Sequence, residues 1–217
     1  MTVTATDRRS RQTPVRDQGD RPSCVGFAVS AAHEWMATGD VVRSPEDALW
    51  AGHQEGGVAH QEATSVQLAL AGLSRLGHAF EYAWPYGRPP WPADRPRDAL
   101  DATNRRELPS WRTIATLDFT AIAAELGGGA AVLLTLGVVR SVWLYGDGVI
   151  DAEPGRRTPG RHAVVVVGIA EDPDTSSMRL IIKNSWGRSW GNDGYGLVSQ
   201  RYLEAYGVVA HALEAEA

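Results

Sequence analysis

Cys24 is the only cysteine in the chain, and it stands where a polar, turn-forming stretch (residues 18–23) gives way to a long apolar segment. If a helix begins there, its dipole should stabilise the thiolate and lower the pKa of the thiol. His162 precedes a run of four valines, and Asn184 follows a second apolar run. A cysteine, a histidine and an asparagine in this order, far apart in sequence, are typical of a thiol hydrolase.

Each of these residues, taken alone, has a simpler explanation. A lone cysteine is most often a buried structural residue. His162 could be a hydrogen-bonded core residue at the start of a buried strand, and Asn184 could be a turn or capping residue. Gln18, six residues before Cys24, could be an ordinary loop amide. The residues alone therefore leave both interpretations open.

Four separated segments of the chain resemble the papain family of cysteine peptidases, and they occur in that family's order. They are residues 13–19 (TPVRDQG), residues 81–86 (EYAWPY), residues 162–164 (HAV) and residues 184–187 (NSWG). The similarity extends from about Thr13 to about Leu213. It implies an α+β, papain-like two-lobe fold, in which a helical N-terminal lobe faces an antiparallel, barrel-like β lobe across the active-site cleft.

By this resemblance Cys24 is the nucleophile, and His162 is the general base that later protonates the leaving amine. Asn184 would accept the second imidazole N–H and fix the ring orientation, while Trp186 would shield that hydrogen bond from water. The side chain of Gln18 would act with the backbone N–H of Cys24 as a pair of oxyanion donors. The resemblance implies no cofactor, and the spacing of the histidines does not indicate a metal site.

The resemblance also implies which residues contact substrate. They are Ala63, Thr64, Ala163, Leu134 and Trp186, with Glu214 near the floor of the pocket for the side chain that precedes the scissile residue. Ala63 and Thr64 stand where the family has paired glycines that let a substrate backbone lie in the groove. Val25 follows the nucleophile, where papain-like enzymes usually have tryptophan, so the packing behind the thiol must differ.

The first half of the chain is predicted to be mostly helical. The predicted helices extend from Cys24 to about residue 38 with Ser23 as N-cap and Gly39 past the end, from a cap at Ser44, and from about Ser65 to Leu76 with Gly77 as the stop. Five of the twelve prolines lie between residues 85 and 96, which forbids regular structure there and indicates a crossover between lobes. We place the lobe boundary near Pro109.

Beyond Pro109, apolar β-branched runs separated by turn residues predict an antiparallel sheet or barrel. The predicted strands are residues 111–117, 130–136, 142–150, 162–170, 179–184, 194–199 and 208–213, with a short helix at residues 120–126. The predicted organisation is a tail (residues 1–12), a mainly helical lobe that carries the nucleophile (residues 13–109) and a mainly β lobe that carries the histidine and the asparagine (residues 110–217).

The composition excludes several classes of protein. The net charge is −5 without a run of Lys or Arg, so no nucleic-acid or membrane partner is expected. No apolar segment approaches the ~18 residues needed to span a bilayer. One cysteine cannot form an internal disulfide, which agrees with a reducing compartment, and we expect a cytoplasmic protein. About twelve residues precede Thr13, too few to cover a groove, so we expect a chain that folds without an inhibitory segment.

The sequence therefore predicts a cysteine peptidase that acts on a peptide or protein substrate. The same acyl-enzyme could instead be delivered to an amine, as in a peptide ligase or a peptide-maturation enzyme. A third interpretation is a catalytically silent module that holds a peptide in its groove. The presence of Cys24, His162, Asn184 and Gln18 together argues against the silent module. The sequence leaves any regulatory partner unidentified.

Overall fold

The computed structural model describes residues 4–37, 41–57, 63–87, 95–145, 147–172 and 175–214, which form helices and a large sheet. The helices are α1 (Cys24–Met36), α2 (Pro45–Gly56), α3 (Val66–Leu76), α4 (Arg97–Leu100), α5 (Phe119–Gly127), α6 (Arg140–Tyr145) and α7 (Gln200–Tyr206). The strands are β1 (Thr6–Asp7), β2 (His78–Ala79), β3 (Arg105–Arg106), β4 (Trp111–Thr113), β5 (Ala131–Gly137), β6 (Val149–Ile150), β7 (Arg161–Glu171), β8 (Met178–Lys183), β9 (Tyr195–Ser199) and β10 (Gly207–Leu213).

Two of the helices begin as the sequence predicts. α2 starts at Pro45, and the hydroxyl of Ser44 accepts a hydrogen bond from the backbone N–H of Asp47 at 3.1 Å. α3 starts after Ser65, whose hydroxyl accepts from the N–H of Leu68 at 3.2 Å. Such caps satisfy N–H groups that the first turn of a helix cannot pair internally.

α1 begins at Cys24, as predicted, but it lacks the side-chain cap that α2 and α3 have. Ser23 occupies the N-cap position, but its side chain makes no cap hydrogen bond, and its hydroxyl lies 2.7 Å from the hydroxyl of Tyr86. The helix ends at Met36, and the predicted stop at Gly39 lies outside the described residues. The predicted position of Ser23 at the N-cap is therefore confirmed, but its hydroxyl is used in a tertiary contact and does not cap the helix.

α1 packs on α2 as well as on the sheet. Gly26, in the first turn of α1, permits the close approach, because a Cβ there would lie 2.5 Å from the carbonyl oxygen of Pro45. A larger residue would have to push α2 away from the helix end that carries Cys24. Close packing at Gly26 thus helps to fix the position of the thiol.

The large sheet runs in the order β4-β10-β5-β7-β8-β9-β6, and neighbouring strands are antiparallel except for β6 and β9. β1 adds to β7, with Thr6 opposite Ile169 and Asp7 opposite Gly168. Part of the segment predicted as a tail therefore joins the sheet. β2 and β3 pair separately as a two-stranded sheet.

Both faces of the central strands are buried. In β7, Val164 and Val166 pack in one core with α5 and α7, while Val165 and Val167 pack in another with α1, α2 and α3. Side chains of a strand alternate between its two faces, so a strand covered on both sides is apolar throughout. This burial explains the run of four valines after His162.

One predicted strand is wrong. Residues 142–150 do not form a continuous strand, because residues 142–145 belong to α6 and, among the described residues that follow in this range, only Val149–Ile150 forms a strand. The prediction failed because a short apolar run does not distinguish a buried helix from a strand. In addition, α7 is a helix that the sequence analysis did not predict. The other predicted strands occur close to their predicted positions, although β4 is short. The lobe boundary near Pro109 stays a prediction. Within the described ranges, no helix has the length and apolarity needed to cross a bilayer.

Candidate active site

Cys24 and His162 line the same cavity, which has a volume of about 400 Å³. Cys24 is the first residue of α1, and His162 is the second residue of β7. His162 pairs with Leu136 of β5 in the antiparallel ladder, which fixes the strand end that presents the imidazole. The fold thus brings together a thiol and an imidazole that are far apart in the sequence.

Asn184 is hydrogen-bonded to His162. Its Oδ1 lies 2.6 Å from Nε2 of His162, and both residues are 4% exposed. The same Oδ1 accepts from the backbone N–H of Ser185 at 2.8 Å, so the amide oxygen faces the imidazole. Nε2 must then carry the proton and Nδ1 must be unprotonated in the neutral ring. This tautomer leaves Nδ1 free to receive a proton.

Indole rings enclose the imidazole of His162. The ring of Trp186 lies 4.6 Å from it, and the ring of Trp143 approaches edge-on at 5.5 Å with an interplanar angle of 81°. Trp190 stacks on Trp143 at 5.9 Å and donates from Nε1 to its carbonyl oxygen at 2.6 Å. Trp186, predicted to contact substrate, lies against the histidine and does not line the cavity.

Gln18 is buried, and both ends of its amide are held. Its Nε2 donates to the carbonyl oxygen of Arg21 at 2.8 Å, and its Oε1 accepts from the hydroxyl of Ser185 at 2.7 Å. Its backbone N–H also donates to the carbonyl oxygen of Ser185 at 2.8 Å. An amide nitrogen carries two hydrogens, and these contacts use only one of them. Gln18 is not among the residues that line the cavity containing Cys24, and its role as an oxyanion donor stays a prediction.

Burial disfavours a separate charge on either member of the Cys24–His162 pair. It raises the pKa of the Cys24 thiol, while backbone hydrogen bonds of Ala163, Val25 and Cys24 itself act in the opposite direction. Burial also lowers the pKa of His162 to about 4, against a smaller opposite effect of Asn184. The thiol pKa expected to be lowered by the helix start is therefore raised instead, because desolvation outweighs the N–H groups.

Three of the predicted substrate contacts, Ala63, Thr64 and Ala163, line the cavity. Leu134 does not line it, because its side chain is fully buried in the core on the α5 and α7 side of the sheet. The next residue, Thr135, lines the cavity instead. Successive side chains of a strand point to opposite faces of the sheet. The predicted residue was wrong by one position, and its side chain therefore lies on the face away from the cavity.

β10 supplies cavity residues that the sequence reasoning missed. Val208, Val209 and His211 line the cavity, whereas Glu214, predicted near the pocket floor, pairs with Nε of Arg112 at 2.8 Å. The register of β10 shifts near its start, which no sequence pattern indicated. A second cavity, of about 580 Å³, lies between β1 and β6 and is lined by none of the predicted site residues.

Buried charges surround the last turn of α1, and we call them the Glu34 network. The carboxylate of Glu34 accepts from Nη2 of Arg16 at 2.9 Å, from the backbone N–H of Arg43 at 2.7 Å and from the hydroxyl of Thr13. Lys183, the last residue of β8, donates from Nζ to the carbonyl oxygen of Thr13 at 2.7 Å. Burial lowers the pKa of Lys183 to about 8. The network joins α1, β8 and the segment before Gln18.

Comparison with known sequences identifies a family that matches nearly the whole chain. Residues 2–215 match a family model described as "Papain family cysteine protease". Chymopapain from Carica papaya is 28% identical over 191 residues, which are 84% of this chain and 50% of that protein. Cathepsin K from Mus musculus is 43% identical over 68 residues, which are 31% of this chain and 20% of that protein. The chain therefore spans at most half the length of these two relatives.

Solved structures share the fold. Xylellain, a cysteine protease from Xylella fastidiosa, has a TM-score of 0.81 at 21% identity, covering 98% of this chain and 91% of that chain. Procathepsin L 3 from the larval midgut of Tenebrio molitor has a TM-score of 0.79 at 21% identity, covering 97% of this chain and 70% of that chain. The predicted papain-like α+β fold is confirmed.

Proposed function

The chain belongs to the papain family of cysteine proteases, and we propose that it hydrolyses peptide bonds through an acyl-enzyme on Cys24. The observation that supports this proposal most directly is the 2.6 Å hydrogen bond between His162 and Asn184, beside the cavity that contains the thiol. This bond leaves Nδ1 of His162 as the proton acceptor for Cys24. A thiol with such a base is an activated nucleophile.

In the first proposed step, Nδ1 of His162 takes the thiol proton as Sγ of Cys24 attacks the scissile carbonyl carbon. The carbonyl oxygen becomes an oxyanion, which accepts hydrogen bonds from the backbone N–H of Cys24 and from the unused N–H of Gln18. Losing one such donor typically costs about 2.7–4 kcal/mol of transition-state stabilisation. The donors act in the transition state, so their loss should lower kcat more than it changes KM.

The tetrahedral intermediate then collapses. The C–N bond breaks, His162 gives its proton to the leaving amine, and a thioester remains on Cys24. Water attacks the thioester while His162 takes one of its protons, and the thiolate leaves and recovers that proton. Asn184 holds the imidazole during both transfers, and the indole of Trp186 keeps water from their hydrogen bond.

Covalent labelling of the single thiol tests this function. A peptidyl vinyl sulfone should add once per chain at Cys24 in the native protein, because only a thiol beside His162 is sufficiently reactive. Cys24→Ala should fold normally, remain unlabelled and lose all hydrolysis of a fluorogenic peptide. Intact-mass spectrometry and thermal unfolding of both proteins provide the measurements. Comparable hydrolysis by the repurified variant would show that the proposed mechanism is wrong.

Product analysis separates hydrolysis from transfer to an amine. We expect free carboxylate products by mass spectrometry with and without an added amine nucleophile, since water enters the proposed second step. Amide-linked products that predominate when amine is present would assign the same acyl-enzyme to a ligase instead. His162→Ala provides the control, because it should retain the thiol but label slowly.

A further inference from the structure

Tyr202, in α7, has a buried hydroxyl with a complete set of hydrogen bonds. It accepts from Nε1 of Trp143 at 2.8 Å and from the backbone N–H of Val139 at 3.1 Å, and it donates to the carbonyl oxygen of Gly137 at 2.7 Å. The residue is 0% exposed. A hydroxyl has one donor and two acceptor positions, so all of its capacity is used. Its geometry is therefore strongly determined.

The first connection from Tyr202 to the candidate active site passes through an indole ring. Trp143 is 1% exposed, and its edge packs against the imidazole of His162. The indole N–H donates to the hydroxyl of Tyr202. Without that partner the N–H would be buried and unpaired, which would favour a shift of the ring. The hydroxyl thus holds one wall of the space that the imidazole occupies.

The second connection passes through the backbone. Gly137, whose carbonyl accepts from Tyr202, is the last residue of β5 and pairs with Arg161, and Leu136 pairs with His162. Val139, which donates to the same hydroxyl, directly precedes α6. One hydroxyl therefore fixes the end of the strand beside His162 and the start of the helix that carries Trp143.

We propose that Tyr202 is a positioning residue for His162: its hydroxyl sets the orientation of the imidazole through Trp143 and through the end of β5. Tyr202 does not line the cavity, so we expect it to act on His162 without touching the substrate. The proposal rests on the proposed function, in which His162 must reach first the thiol and then the leaving amine. A small misplacement of a catalytic group can cost a large factor in rate.

The same helix offers a matched control. Tyr206 lies one turn later in α7, and its ring packs against that of Tyr202 at 4.7 Å. Its hydroxyl also bonds to backbone groups, accepting from the N–H of Arg156 at 2.8 Å and donating to the carbonyl oxygen of Glu153. Neither of these hydrogen bonds involves β5 or Trp143. Tyr206→Phe therefore removes a comparable buried hydroxyl without disturbing either connection to His162.

The test compares Tyr202→Phe with Tyr206→Phe. We expect Tyr202→Phe to lower kcat, expressed per site labelled by the vinyl sulfone, about 10-fold while KM stays within about twofold. Tyr206→Phe should leave both constants near the wild-type values. Expressing kcat per labelled site removes the effect of any unfolded fraction, which a purely structural role would change. Equal kcat per labelled site in the two variants would overturn the proposal.

A second measurement does not depend on turnover. In ¹⁵N-histidine-labelled protein, the His162 ring resonances, identified by their absence in His162→Ala, should shift or broaden in Tyr202→Phe but not in Tyr206→Phe. If the wild-type protein neither labels nor hydrolyses peptides, the proposed function fails, and these resonances still decide the positioning role. If Tyr202→Phe does not fold, Trp143→Phe breaks the same contact from the other side, and unchanged His162 resonances in that variant would overturn the proposal.

Discussion

The two members of the proposed catalytic pair are supported by different kinds of interaction. Cys24 is the first residue of α1, and the last turn of this helix is held by the Glu34 network, where a carboxylate with a fully buried side chain meets the guanidinium of Arg16. His162 is held by a neutral amide, Asn184, and by indole rings. One support is ionic and the other is aromatic and uncharged.

This difference determines how each support can fail. A buried ion pair adds little net stability, but removing one partner leaves a charge without compensation in a medium of low dielectric. Indole rings and the side-chain amide of Asn184 do not gain or lose a proton in the ordinary pH range, so these supports of His162 do not change with pH. We therefore expect the Cys24 side to fail on loss of charge or on acidification, and the His162 side to fail on loss of packing.

The largest expected effect is that of Glu34→Gln. The substitution keeps the size of the side chain but removes the negative charge that compensates Arg16 and Lys183, and it should destabilise the fold by about 3–5 kcal/mol. Urea unfolding at pH 7 measures this change. Asp193→Asn is the control, because it removes a carboxylate from an ion pair with Arg188 that is exposed to solvent. No measurable loss is expected there, and equal losses in the two variants would refute an ionic support for α1.

The residues that form and support the catalytic pair were not equally predictable from the sequence. Cys24, His162 and Asn184 stand in short segments whose composition and order carry the signal, so their approach in space could be expected before the fold was known. Gln18 was predicted from the segment of residues 13–19 and from its spacing of six residues before Cys24. Glu34 carried no such signal, because a charged residue in a helix is normally solvated, and its burial depends on three distant segments.

The aromatic support was harder to predict for a different reason. Trp143 lies in an apolar run that was interpreted as a strand, and Tyr202 lies in a helix that was not predicted. Both interpretations depend on local periodicity, which is weak in elements of six or seven residues. The prediction for Leu134 failed in a similar way. The strand was predicted correctly, but the residue chosen for the cavity wall was one position too early, so its side chain lies on the opposite face of the sheet. Such details depend on register, which tertiary packing sets.

A second prediction tests the acid sensitivity of the helical side. His33 of α1 and His78 of β2 are buried with their Nδ1 atoms 3.1 Å apart, and Nε2 of His78 lies 2.9 Å from the carbonyl oxygen of Ser44. Burial, together with the nearby charge of Arg43, lowers the pKa of His33 to about 3. Burial and the neighbouring histidine lower the pKa of His78 well below its usual value, and the cations Arg43 and Arg16 add to this.

These shifts give the sign of the pH dependence. The unfolded chain binds protons at both histidines below about pH 6.5, whereas the folded chain does not, so stability is complete above that pH and is lost as the pH falls. For His33, whose pKa is about 3 in the folded chain, the loss at about pH 5 should be about 2 kcal/mol. His33→Gln should reduce the difference between urea unfolding at pH 7 and pH 5 by about that amount, whatever its effect at pH 7. An unchanged difference would remove His33 from the acid response.

The smallest expected effect concerns the pH profile of peptide hydrolysis, which depends on the protonation of both Cys24 and His162. The active form of the Cys24–His162 pair holds one proton, and burial penalises both the form with two protons and the form with none. The acidic limb of kcat/KM should therefore lie near pH 4, where His162 titrates, and the alkaline limb should lie above the ordinary pKa of a thiol.

Near pH 5 this shift should preserve about 30 times more activity than a histidine with an ordinary pKa would allow. Initial rates must be measured within seconds of transfer from pH 7, because the helical side of the molecule should unfold in the same range. Loss by unfolding will grow with time at low pH, whereas loss by titration of His162 will be immediate and reversible. An immediate, reversible acidic limb near pH 6.5 would contradict a desolvated imidazole. It would mean that water reaches His162 inside its enclosure of indole rings, and the uncharged aromatic support that distinguishes His162 from Cys24 would then be wrong.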